Sequence, residues 1–162
     1  MKISLDQGSQ NLFNAIEANN PPEVMALLDT GVGPTIRDRD GRTPLMRSVV
    51  SGNYDITLLL LQRGSDVNAR DKAGWTALHF AAQAYDKKIA NLLTEHGADV
   101  NLRDSYGKTA LARAVFNSRG RGEVITLLLS KGADPNLEND SGVSPLKLAR
   151  SISNYDIRRF FD

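Results

Sequence analysis

Two histidines, three evenly spaced aspartates and one glycine-rich loop are the residues of this sequence whose types could do chemistry. Catalysis needs a nucleophile or base beside an orienting partner. His96 directly precedes Gly97 and reads as a cation on the C-terminal end of a helix dipole. Asp38, Asp71 and Asp104 each precede a turn, where a carboxylate caps backbone N–H groups more naturally than it does acid–base work. "RGRGEV", Arg119 to Val124, resembles a glycine-rich anion loop. It lacks the preceding strand and the longer phosphate-loop pattern, so phosphate binding is not expected. No metal-ligand spacing occurs, and with no cysteine thiolate metal sites and disulfides are excluded. The expectation is a protein without catalytic residues, metal or cofactor.

What remains is a surface, and its character depends on the elements that present it. The chain has 162 residues, is 41% hydrophobic and 24% charged, values that suit one folded domain. Twenty basic and nineteen acidic side chains leave a net charge of +1, so overall charge favours neither nucleic acid nor a membrane. The N-terminal stretch lacks the apolar run of a secretion signal, and no segment approaches membrane-spanning length. A cytoplasmic protein without membrane contact, monomeric when free, is expected.

Gly41, Gly74, Gly107 and Gly142 head the segments "GRTPL", "GWTAL", "GKTAL" and "GVSPL", at separations of 33, 33 and 35. Gly31, Gly64, Gly97 and Gly132 repeat at the same separations. Two markers in one register identify an internal repeat. In each unit Thr43, Thr76, Thr109 or Ser144 can cap a helix, with Pro44 and Pro145 suited to the first helical position. A second helix carries the pairs Leu59/Leu60, Leu92/Leu93 and Leu127/Leu128, and stops at a glycine fit for a left-handed cap. The two extra residues fall in "NSRGRGE", expected to be a flexible loop with Arg119 and Arg121 exposed.

"DKAGWTALHFAA" and "GADVN" closely resemble the hallmark segments of the ankyrin repeat. The resemblance implies an all-α solenoid of stacked helix-turn-helix units joined by hairpin-like turns. It covers nearly the whole chain as a single domain: an N-terminal capping unit at 1–37, central repeats at 38–70, 71–103 and 104–138, and a closing helix pair at 139–162. It also implies that His79 organises hydrogen bonds between repeats. Stacking must supply the core that one helix pair cannot, and the end units should be polar outside. Asn11, Asn14, Glu17, Asn19 and Asn20 at the front, and Arg158, Arg159 and Asp162 at the back, fit that role.

The fold leaves free the turn tips and the outer side of each first helix. These positions hold Arg37, Arg39, Asp40, Arg42, Met46 and Arg47, then Arg70, Lys72, Trp75 and Phe80, then Arg103, Tyr106, Lys108, Arg113 and Phe116. Nine are Arg or Lys and one is acidic. Arg47 and Arg113 should flank Phe80 as a cationic stripe with an aromatic centre, ending where Glu138 and Asp140 turn the last tip acidic. Trp75 shares its register position with Arg42, Lys108 and Val143, so it is expected to be exposed. Trp, Tyr and Arg dominate binding energetics. The resemblance and this census together imply a protein-binding module whose concave face and tips grip an acidic surface of a partner such as a toxin or enzyme. A stand-alone module of this kind suits an inhibitor, a toxin-neutralising immunity protein or an adaptor. The alternative is nucleic-acid binding by the basic stripe, which has no base-reading motif and little charge excess.

Overall fold

The computed structural model describes residues 6–161. Among these the order is α1 (Gln7–Glu17), α2 (Pro21–Asp29), α3 (Pro44–Val50), α4 (Tyr54–Gln62), α5 (Ala77–Ala84), α6 (Lys87–Glu95), α7 (Ala110–Asn117), α8 (Glu123–Ser130) and α9 (Pro145–Ser151), then a 3-10 turn, Arg158–Phe160. No strand occurs among the described residues. Three of the four expected caps form: Thr43, Thr109 and Ser144 hydroxyls accept from Met46, Ala112 and Lys147 N–H, satisfying donors that a helix start leaves orphaned. The Thr76 hydroxyl donates to His79 Nδ1 instead. Gly31, Gly64, Gly97 and Gly132 follow the second helices at φ of +80° to +94°, a region closed to most L-residues.

Helices α1, α3, α5, α7 and α9 stack side by side as one layer, with α2, α4, α6 and α8 as the layer behind. Leu12, Leu45, Leu78 and Leu111 fill the first layer, and Val24, Ile56, Leu60, Ile89, Leu93, Ile125 and Leu128 the second, all at most 1% exposed. First helices pack more extensively on one another than second helices do, and their small residues Ala81, Ala82 and Ala114 are fully buried. Tighter packing in one layer than in the other is what bends a solenoid toward the tighter layer.

The extra residues do lie between α7 and α8, at Ser118–Gly122, and Arg119 and Arg121 are exposed. The loop is nevertheless packed. The Tyr85 hydroxyl donates to the Arg121 carbonyl, and the Arg121 guanidinium lies 4.1 Å from the Tyr85 ring centroid. Burial is the main reason the Tyr85 phenol is pushed up to about 12, with Glu123 adding to it. A Cβ on Gly122 would sit 2.2 Å from the Phe160 ring, and one on Gly120 2.8 Å from Tyr155. These glycines serve close approach to the C-terminal segment. That segment also departs from expectation, since α9 is followed by a 3-10 turn and not by a full second helix. Arg158 and Arg159 are exposed there as expected, while Asp162 lies outside the described residues. Gly122 has an ordinary φ of −114°, so Gly122→Ala should act only by displacing Phe160. The expected cost is about 1–3 kcal/mol, the range for overpacking, read as a lower urea midpoint at unchanged slope.

Candidate interaction surface

The aspartates do turn chemistry. Asp38 Oδ1 accepts from Asp40 and Arg42 N–H, Asp71 Oδ1 from Ala73 and Trp75, and Asp104 Oδ1 from Tyr106 and Lys108, each at 2.8–2.9 Å. Asn139 holds Ser141 and Val143 N–H in the same way. One backbone hydrogen bond joins each tip to the next: Lys72 N–H to the Asp40 carbonyl, Ser105 to Ala73, and Asp140 to Tyr106. The tips are therefore a continuous, pinned edge.

His79 links successive units through the helix behind that edge. Its Nδ1 accepts from Thr76 N–H at 3.2 Å and from the Thr76 hydroxyl at 2.9 Å, so the proton sits on Nε2, which donates to the Lys108 carbonyl at 3.0 Å. At 1% exposure, burial holds its pKa below the usual histidine value, against the raising effects of the Lys108 carbonyl and Asp104. His96 is exposed at the C-terminal end of α6, its Nδ1–H donating to the Leu92 carbonyl at 2.9 Å. A family model described as ankyrin repeats (3 copies) matches residues 2–71 and 64–139. The chain belongs to the ankyrin-repeat family. A search among curated proteins finds no match to the sequence. Ankyrin repeats are generally protein–protein interaction modules and typically non-catalytic. No described helix is long and apolar enough to cross a membrane.

In this ankyrin-repeat chain the aromatic centre differs from the sequence expectation. Trp75 is half-buried and not exposed. It stacks on Phe80 with ring centroids 4.8 Å apart, tilted by 46°. The Arg113 guanidinium covers the indole at 4.0 Å, and Arg42 covers Phe80 at 5.1 Å. The flanking pair is thus Arg42 and Arg113, with Arg47 elsewhere. Arg47 pairs with Glu17 of α1 and lies 3.7 Å from Asp38, because two carboxylates outbid an aromatic face for a guanidinium. Met46 also leaves the predicted surface. It is 1% exposed and fills the register position that His79 occupies one unit on.

The residue that sequence reasoning missed is Asp104 as a partner. Its Oδ2 accepts from Arg113 at 2.6 Å, with the aspartate side chain fully buried. Burial alone would raise its carboxyl, but the Lys108 N–H and Arg113 outweigh that and hold it below the ordinary range. A signal existed in the equal spacing of Asp38–Arg47 and Asp104–Arg113, nine residues each. In the unit between, Phe80 stands where the arginine would be. Among the described residues the one cation that Asp71 meets there is Arg42, at 3.8 Å.

The predicted cations therefore divide. Arg47, Arg113 and Arg103 are spoken for by carboxylates, the last through Asp140 at 2.9 Å. Among the described residues Arg37, Arg39, Arg70, Lys72 and Lys108 make no ion pair. Arg37 and Arg70 donate to backbone carbonyls, and Lys72 donates to the Arg39 carbonyl at 2.6 Å. Tyr106 and Phe116 are 66% and 72% exposed, well beyond what a core aromatic shows. At the far tip Glu138 pairs with Lys147, which closes the basic zone.

Proposed function

We propose that this chain binds one protein partner through its first-helix face and turn tips, meeting an acidic surface, and acts by occupying that surface. That is the action of an inhibitor, a toxin-neutralising immunity protein or an adaptor, performed as a non-catalytic monomer in the cytoplasm. One observation carries the reading: tip cations without carboxylate partners among the described residues run beside an aromatic pair held between two guanidinium groups. Rigid Trp and Arg groups lose little freedom on contact, which is what lets such residues dominate affinity.

Crosslinked capture with wild-type and Trp75→Ala baits, followed by mass spectrometry, should recover a protein with the wild-type bait alone. With that partner in hand, association should slow as ionic strength rises. Trp75→Ala should weaken binding at least roughly thirtyfold, the scale of an interface hot spot. Its folding cost should be about 1–2 kcal/mol, from the lost ring pair and the guanidinium contact. A salt-independent association rate, or recovery of nucleic acid in place of protein, would replace this reading.

A further inference from the structure

Arg37, Arg70 and Arg103 recur at 33-residue spacing, one per unit, and all three are exposed. Each is fixed by the backbone. Arg37 donates to the carbonyls of Gly41 and Arg70, and Arg70 to those of Gly74 and Arg103. Arg103 donates to the Gly107 carbonyl and to Asp140. A guanidinium has five N–H donors, and these bonds use two of them per residue. Carbonyls leave the positive charge of Arg37 and Arg70 unneutralised while holding it in place. The row stops at the fourth unit, where the register position carries Glu138.

From this we infer that the row reads an extended acidic segment of the partner, lying along the tips with a carboxylate at every third residue. The inference rests on the proposed acidic protein partner and specifies how its charges are spaced. Stacked helices lie about 8–10 Å apart, so the row places one pinned cation per step of that size. An extended chain advances about 3.3–3.6 Å per residue, so three residues match one unit. Pinning matters because the ordering that a free surface arginine undergoes on binding has already happened in the unbound protein.

Two labelled, unstructured peptides of identical Glu/Ser/Gly composition separate spacing from charge. One has glutamate at every third residue, the other has its glutamates adjacent. Fluorescence anisotropy at low salt should show the spaced peptide binding about tenfold more tightly, through simultaneous engagement of Arg37 and Arg70. Arg70→Gln should abolish the difference. Arg63→Gln should leave it, since Arg63 pairs with Asp29 on the second-helix layer. If the urea midpoint shows that Arg70→Gln disturbs the fold, Arg37→Gln at the end of the row takes its place. Equal binding of the two peptides overturns register reading but leaves the acidic-partner proposal standing. Binding by neither, or tighter binding of single-stranded oligothymidylate, also overturns the inference. Preference for a lysine-for-glutamate peptide overturns both proposals.

Discussion

Asp104→Ala is expected to cost about 3–5 kcal/mol of unfolding free energy, the range for removing one partner of a buried ion pair. The side chain is fully buried against Arg113 and holds the N–H groups of Tyr106 and Lys108. Alanine leaves two backbone donors and a guanidinium without their acceptor. Asp104→Asn separates the parts. Asparagine keeps the turn acceptor, as Asn139 does in the last turn, and loses only the charge. It should cost about 1–2 kcal/mol, near the value of a hydrogen bond to a charged group. Urea titration measures both. In Asp104→Ala the Arg113 group is also released from the indole, so the emission of the lone tryptophan should shift. A loss below about 1 kcal/mol for the alanine variant would mean that Arg113 and the turn find other partners.

His79→Ala should have the second largest effect, about 3 kcal/mol, combining a buried cavity with unsatisfied groups at Thr76 and Lys108. Because the Nε2–H bond crosses from one unit to the next, the variant should also broaden the unfolding transition as coupling between units weakens. The wild-type pH dependence has a definite sign. The folded-state pKa of His79 is depressed by burial, so below about 6.5, the ordinary histidine value, the unfolded chain takes up a proton that the folded chain resists. The stabilisation is complete above that pH and is lost as pH falls toward the depressed value. The Asp104 carboxyl is also depressed. Its contribution is lost as pH falls below the ordinary aspartate value of about 3.9, beneath the pH at which the histidine loss sets in. His79→Ala should therefore flatten the stability curve between neutral and mildly acid pH. An unchanged slope would assign the titration to another group.

What the sequence determined by itself is what local physics controls. Glycines at a repeating interval mark positions where φ must be positive, and Thr43, Thr109 and Ser144 cap the helices that follow them. Asp38, Asp71 and Asp104 bond N–H groups two and four residues away. Such contacts are written within one unit, so the period, the helix pairs ahead of the closing unit, the turns and the placement of the extra loop were legible. The role of His79 came from family resemblance, and its bonds have the expected form.

Tertiary structure decided whatever required a long side chain to choose between neighbours. Arg42 and Arg47 both start near Phe80 in register. Glu17, thirty residues before Arg47, draws that arginine away and leaves Arg42 on the ring. Trp75 occupies a position that tolerates Arg, Lys and Val, which suggested exposure. Phe80 beside it and Arg113 from the next unit enclose it instead. "NSRGRGE" looked flexible because glycines loosen a chain when nothing lies against them. Here Tyr85, Tyr155 and Phe160 do, and the last two arrive from a segment whose packing no periodicity announces. The physical reason is common to all three cases. Backbone conformation is set by residues a few positions apart, whereas the partner of a guanidinium or a ring is set by competition among groups that only folding brings together.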